Sequence, residues 1–366
     1  MIATRAQLDS FSQWHEAFAG ERKDWRYYEI VNDTLGGQGF EFHYAVLGGG
    51  IIQPFFVLDQ DLVAGAARAV QAAVKTVRRL WPRFLKMRTL MVGCAAGEGH
   101  LAALSVVDDL AVALPQLARQ FKAKLIVMKE FPARYRAALS RLSGFTRVPS
   151  MPMTGLDLDY ASFDEYVANK VSKPSRKSIR RKLREADAAQ PRIELQVVED
   201  ITPFVDEIYP LYLAVYDRST LHFEKLTKEF LSTLGRRMAD KVRFFIWRQD
   251  GKAIAFSLCL IQGDAIYDEY LGLDYSVALN LHLYFYTLRD IINWAIAHGL
   301  KHYVSSALNY DPKLRLRCEL VPLDLYVGHT SPLINAFMKR VLPLLEPTHS
   351  DPVLRRFPNY REVWGD

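Results

Sequence analysis

The sequence predicts an α/β protein whose two mixed-sheet halves follow one another along the chain. Three observations carry this. Apolar segments with the period of a strand alternate with segments at helical period from end to end, and the element order of residues 1–155 is met again in residues 156–366. The segment between them, FTRVPSMPMTGLDLDY, is broken by Pro149, Pro152 and Gly155. At 366 residues, half of them apolar, the chain is long enough to bury two cores.

Residues up to about Asp24 read as a polar lead-in with one amphipathic helix. YYEIVND, FEFHYAVLG and IIQPFFVLD then read as three strands separated by LGGQG and by Gly48–Gly50, both of which permit tight turns. The spacing predicts a helix from Val63 to about Leu80, stopped by Pro82. FLKMRTLMVGC reads as a strand followed by the Gly-x-Gly of Gly97 and Gly99. That signal fits a phosphate loop, and more often a turn by which the chain leaves the sheet. A helix near Asp109–Phe121, a strand at AKLIVMKE and a helix from Pro132 to about Leu142 complete the first series.

In the second half, Arg176, Arg180 and Arg184 stand four apart and stack on one face of a helix whose narrow apolar stripe is Ile179, Leu183 and Ala186. RIELQVVED reads as a strand, and Thr202 with Pro203 opens a helix to about Tyr216. YDRSTLHFEKLTKEF is a polar-aromatic loop leading into a second helix, and VRFFIWRQDGKAIAFSLCLIQGDAIYDEYLG gives three strands. From Leu281 to Ala297 apolar residues recur at spacings of three and four, the period of a buried helix face, and Gly299 stops the helix. His302–Ser306 is a further strand. The order strand, helix, strand is a βαβ crossover, which sets a helix N-terminus beside the carboxyl end of the first strand, where anions and thioester donors are held. SPLINAFMKRVLPLL reads as a last helix and Arg355–Pro358 as an ordered cap.

The net charge is +6. Between Lys173 and Arg192 eight basic residues stand against Glu185 and Asp187, so this segment carries the whole excess. A solvated helix face, attraction to acidic headgroups and contact with donor phosphates each account for it. Nucleic acid ranks third, because the run lacks stacking aromatics. Cys94, Cys259 and Cys318 lie far apart with no CxxC, which fits reduced, buried thiols. The N-terminus MIATRAQLDSFSQWHEAF lacks the apolar core of a signal peptide, and no apolar run reaches the roughly 18 residues of a spanning helix. The sequence therefore predicts a cytoplasmic protein that is soluble or touches an anionic membrane only at its surface.

The run YDEYLG, LHLYFY, AIAHGL, ALNYDPKLRL and VPLDLYVGH resembles a branch of the GNAT (acyl-CoA N-acyltransferase) superfamily, the large tandem-GNAT proteins of the peptidoglycan biosynthesis or recognition type. The matching residues are Tyr267, Tyr270 and Gly272, then Leu281 and His282, then Ala295, Ile296, Gly299 and Leu300, then Lys313, Pro322 and His329. The start of the basic helix also resembles the related Fem-type transferases, in which it opens the second GNAT half. The resemblance implies two GNAT-like mixed-sheet domains in tandem, residues 1–155 and an acyltransferase domain with a helical tail at 156–366. It implies transfer of an acyl group from acyl-CoA, or a similar thioester, to an amine, with acyl-CoA as co-substrate and no metal. Ordinary GNAT enzymes carry a glycine-rich pyrophosphate loop between the same strand and helix. DYSVALN has no glycine, so plain acetyl-CoA is not implied. With the apolar content and the basic helix, a long acyl chain and a lipid-like amine follow, as in the bacterial ceramide synthases. The alternative is a non-catalytic GNAT-derived module that binds a cell-wall or lipid precursor.

Amide-forming acyl transfer needs a neutral amine beside a thioester, an acceptor for its proton and donors for the oxyanion. Asp268 and Glu269 sit mid-strand and face opposite sides of the sheet, so one of them looks into the cleft, where burial among tyrosines raises a carboxyl pKa. The alternative is a pair of surface acids on an edge. His282, on the first turn of the helix, is placed either to relay a proton or to bond the nearby backbone. The resemblance adds Tyr310, where GNAT enzymes begin the helix that carries their thiolate-protonating tyrosine, and His329 as a hydrogen-bonding group. Lys313, Asn309 and Tyr270 are expected as donor-binding residues, and the charge of their helix face adds Arg176 and Arg180 for donor phosphates. Buried tyrosines are nonetheless more often core aromatics with a polar tip. No Ser-His-Asp order, HExxH, Walker loop or EF-hand appears, so hydrolase, metalloenzyme and nucleotidase readings have no motif behind them.

Overall fold

The computed structural model describes residues 1–61, 68–82, 84, 86–219, 222–345, 348 and 351–365. The first stretch of chain forms β1 (Ile2–Ala3), α1 (Trp25–Leu35), β2 (Glu41–Val46), β3 (Ile52–Asp61), α2 (Arg68–Val77), β4 (Lys86–Val92), α3 (Val106–Gln120), β5 (Leu125–Pro132), α4 (Arg136–Leu139), β6 (Thr146–Pro149) and β7 (Met153–Asp157). There follow α5 (Phe163–Lys170), α6 (Lys173–Asp187), β8 (Ile193–Val198), α7 (Val205–Tyr216), α8 (Lys228–Arg237), β9 (Val242–Gln249), β10 (Lys252–Gln262) and β11 (Ala265–Leu273). The chain closes with α9 (Leu283–Ala297), β12 (His302–Ser305), α10 (Tyr310–Arg315), β13 (Glu319–Val321), β14 (Leu323–His329) and α11 (Pro332–Leu345).

The strands make two seven-stranded sheets, ordered β1-β2-β3-β4-β5-β14-β6 and β8-β9-β10-β11-β12-β7-β13. Each is an antiparallel meander that runs into a single parallel pair, β4 with β5 and β11 with β12, at the same place in the order. The sixth position is exchanged. β14, from the end of the chain, fills it in the first sheet, and β7, from the middle, fills it in the second. The proline-broken joining segment is therefore two strands, β6 and β7, one in each sheet, and a cut between residues 155 and 156 falls inside β7.

One expected strand is a helix. YYEIVND lies in α1, because the Asp24 carboxylate accepts from the Arg26 N–H and caps the helix start, and Tyr27, Tyr28, Ile30, Val31 and Leu35 then bury one face. The lead-in holds β1 and two short 3₁₀ turns, which bury Leu8 and Trp14, in place of an amphipathic helix. After Pro132 a 3₁₀ turn and the short α4 replace a continuous helix. The expected helix start at residues 63–67 lies outside the described residues.

One core packs α9 against the second sheet through Ile266, Phe285, Ile291 and Tyr303, and another packs α3 against the first through Val57, Val92, Leu110 and Phe131. A third lies between the halves and draws on both, from Tyr27 and Phe56 on one side to Phe230, Phe244 and Phe256 on the other. Burial of this shared apolar surface holds the two sheets together.

Candidate active site

The parallel pair of the second sheet registers only from Ala265–His302 to Asp268–Ser305, after which β11 runs on to Leu273 without β12. At the same point β11 carries a bulge against β10, where Tyr270 faces Leu258 but Asp268 faces Cys259. The extra residue, Glu269, restarts the alternation, so Glu269 and Tyr270 both turn toward the first half while Asp268 turns toward α9.

On the face toward the first half, Glu269 enters a buried ion cluster. Arg22 Nε donates to Glu269 at 2.7 Å and Arg22 Nη2 pairs with Glu98 at 2.6 Å, while Lys23 Nζ lies 2.7 Å from Glu98 and 3.2 Å from Glu269. All four side chains are at most 9% exposed. Burial opposes the Glu98 charge, and the adjacent Arg22 and Lys23 overcome it and hold that carboxyl well below the usual range. His100 Nε2 lies 3.0 Å from Glu98, and the Arg22 guanidinium stacks 3.6 Å over the Tyr267 ring. Gly97 and Gly99 serve this packing. A Cβ at residue 97 would sit 2.0 Å from Lys23 Nζ, and one at residue 99 would sit 2.5 Å from the Lys129 carbonyl oxygen.

Beside that cluster Tyr270 Oη donates 2.6 Å to Glu224, a half-buried residue of the loop before α8. Burial raises the Glu224 carboxyl pKa, an effect that Lys129 and Tyr270 only partly offset. Lys129, buried near the end of β5, donates 2.8 Å to the Gly97 carbonyl and 2.6 Å to Glu130. Burial favours its neutral form, but Glu130 and Glu224 outweigh this and keep it an ammonium. Glu130 itself has the left-handed φ of 55°, which carries its carboxylate out of the strand's alternation to Lys129 and Ser150. The arrangement sets a carboxylate of raised basicity beside a fixed ammonium, at the open end of a strand, between the halves.

On the α9 face, Asp268 accepts from Ser257 Oγ and, at 2.8 Å, from Tyr303 Oη, and burial raises its pKa. Lys313, 3% exposed, donates to the Ser306 and Leu308 carbonyls, and burial pulls its pKa down to about 8.

Residues 100–309, more than half of the chain, match the FemAB-like family of peptidoglycan biosynthesis/recognition. The chain belongs to this family. No curated protein matches it in sequence. Among solved structures, L-PGS from Bacillus licheniformis superposes with a TM-score of 0.52 at 11% identity, covering 93% of this chain and 97% of that one. The C-terminal domain of a protein from Agrobacterium fabrum whose name reads lysylphosphatidylglycerol synthetase gives 0.51 at 12% identity, covering 87% and 94%. A tandem GNAT protein from the clavulanic acid biosynthesis pathway gives 0.48 at 12% identity, covering 91% and 98%. At such identities the likeness is one of fold, and the fold is two seven-stranded mixed sheets built from one chain.

The residues singled out from the sequence of this FemAB-like chain do not gather at one point. Asp268 faces α9 and Glu269 the first half, as alternation requires, whereas the bulge turns Tyr270 to the first half as well. His282 is the N-cap of α9 with φ 49°, and its Nε2 lies 2.8 Å from Glu185 of α6, away from the strand acids. Tyr310 is buried under the C-terminal tail and donates 2.8 Å to the Pro152 carbonyl. His329 closes β14 at the other end of the first sheet, where its Nδ1 accepts from the Ser331 N–H. Asn309 stands at the N-cap position of α10, the helix of Lys313, without a capping side-chain bond. Arg176 donates to the Ala168 carbonyl and Arg180 is exposed.

Most backbone N–H groups of the turn between β11 and α9 are already taken by the protein itself. The N–H groups of Val277, Ala278, Leu281, His282 and Leu283 are bonded to carbonyls within the turn, and that of Ser276 to the Asp274 carboxylate. Glu224, Lys129, Arg22, Lys23 and Glu98 escaped the sequence reading because they come from four separate segments of the chain, only Arg22 and Lys23 being neighbours. A further surface groove, of about 740 Å³ and lined by Glu199, Arg236, Arg243 and Trp294, lies apart from these clusters.

Proposed function

We propose that this chain transfers an acyl or aminoacyl group from an activated donor to an amine, in the cleft between its halves. The observation that carries the reading is the Glu224–Tyr270 pair beside Lys129, at the point where β11 leaves β12. Glu224, with its raised pKa, takes a proton from the ammonium before the neutral amine attacks, or from the tetrahedral intermediate after it, and the proton passes to the donor's leaving group as its bond to the acyl carbon breaks, while Tyr270 holds the carboxylate in place. The Lys129 ammonium faces the oxyanion as charge develops on it. Glu269, fixed by Arg22 and Lys23, orients the bulge that presents Tyr270. Membership in the FemAB-like family supports transferase chemistry.

The donor is read as a long-chain acyl thioester and the acceptor as a lipid-type amine, with the resemblance of β11 and α9 to acyl-CoA-dependent N-acyltransferases in support. The test is release of free thiol from acyl-CoA of graded chain length in the presence of a panel of amines. Thiol release that depends on the amine and is lost in Glu224→Gln supports the reading. Acyl-CoA binding with no release for any amine favours the non-catalytic binding module.

A further inference from the structure

One end of the first sheet is built unlike a solvated surface. The N-termini of β4 and β5 and the C-terminus of β14 meet there, since β4 is parallel and β14 antiparallel to β5. The chain reaches β4 through Leu80 and Trp81, which are 94% and 62% exposed, and leaves β14 into α11, whose Leu333, Ile334 and Phe337 are 85%, 46% and 65% exposed. Positions 333, 334 and 337 fall on one side of a helix, while Met338 and Leu342 of the same helix pack against the core between the halves. α11 thus exposes a stripe of large apolar side chains on the side away from its packed residues, which water alone does not account for.

Among the described residues, the unpaired charges around these apolar tips are of one sign. Arg79, Lys86, Lys124, Lys339 and Arg340 are exposed, and none of them makes an ion pair among the described residues. The acids at this end, Glu41, Asp59 and Asp61, are paired with Arg88 and Arg78.

We propose that this end of the first sheet docks on the surface of a bilayer that carries anionic lipids. Leu80, Trp81, Leu333, Ile334 and Phe337 enter the headgroup boundary and the surrounding cations meet lipid phosphates. Charge decides against a second copy of the chain, because a two-fold contact through this surface would set like charges face to face. Nucleic acid is disfavoured because protruding aliphatic side chains have no partner on a phosphate backbone. The inference does not depend on the reaction proposed above. It moves the expected membrane contact from α6 to the opposite half.

The test is flotation of the purified full chain with vesicles of phosphatidylcholine alone, or containing about 30% phosphatidylglycerol, at low and high salt. Recovery with the anionic vesicles that is at least tenfold above that with phosphatidylcholine, and is reduced by salt, is expected. Phe337→Glu and, separately, Lys339→Glu with Arg340→Glu should each reduce it about tenfold without changing the melting temperature, as these side chains are exposed. Failure to float with either vesicle overturns the proposal, as does flotation unaffected by both variants. Self-association, or binding to a single-stranded RNA oligonucleotide, that Phe337→Glu abolishes while flotation persists also overturns it, by giving the patch a different occupant.

Discussion

Tyr270 and Glu224 join the two kinds of element from which the candidate site is made, a bulged strand and a loop, through a 2.6 Å hydrogen bond from the phenol to the carboxylate. Its environment both strengthens Glu224 as a base and makes its charge costly, because burial raises the pKa of the carboxyl.

Glu224→Gln should therefore separate activity from stability. Loss of the proton acceptor is expected to lower kcat by roughly 10²–10⁴-fold. The sign for stability is opposite. A carboxyl whose folded pKa lies above its unfolded value loses stability as pH rises from the unfolded to the folded pKa, so at neutral pH the charged group is a net cost that glutamine removes. Melting at pH 7 should be unchanged or higher in the variant, and the wild-type rate should fall on acidification at a pH above the ordinary glutamate range. A variant that is inactive and also strongly destabilised would show that Glu224 holds the fold.

The cluster of Arg22, Lys23, Glu98 and Glu269 predicts strong coupling. Removing one charge leaves another buried without its partner, a loss of about 3–5 kcal/mol, whereas removing a pair costs much less than the two single losses together. Lys23→Met and Glu98→Gln, alone and combined, measured by denaturant unfolding, should give that non-additive cycle. Additive losses would mean that the pair is solvated.

The general plan of this chain was legible because its signals are local. Helical spacing in α9, the short apolar runs of β9–β11 and the three- and four-residue stripe of α6 all lie within single segments. YYEIVND was misread because its β-favouring Tyr, Ile and Val outweighed the cap at Asp24. The exchange of β7 and β14 could not be read, since a short strand carries no mark of the sheet it will join. Glu269 and Tyr270 were visible on β11. Their partners, Arg22, Lys23 and Glu224, stand about 250, 250 and 50 residues away along the chain, and only tertiary packing brings them together.

Gly97 and Gly99 offer a direct comparison of two roles. In the structure the absent side chains make room for Lys23 and for the Lys129 carbonyl. Gly99→Ala should lose roughly 1–3 kcal/mol through that overlap, with donor binding by the folded fraction unchanged. Full stability with loss of acyl-CoA binding would instead assign the glycines to a phosphate loop.

Lys313 gives a prediction whose sign depends on pH. Burial holds its pKa near 8, below the ordinary lysine value of 10.5. Between those values the unfolded chain keeps a proton that the folded chain has released, so the stability of the wild type rises with pH across the window. Lys313→Met removes the titration and also the hydrogen bonds to the Ser306 and Leu308 carbonyls, a loss that does not vary with pH. Groups common to both proteins cancel in the difference. From pH 8 to pH 9.5 the wild type should therefore gain on the variant by on the order of 2 kcal/mol, measured as paired denaturant titrations. A constant gap would show that the lysine remains charged in the fold throughout, with its ammonium compensated by Asp268.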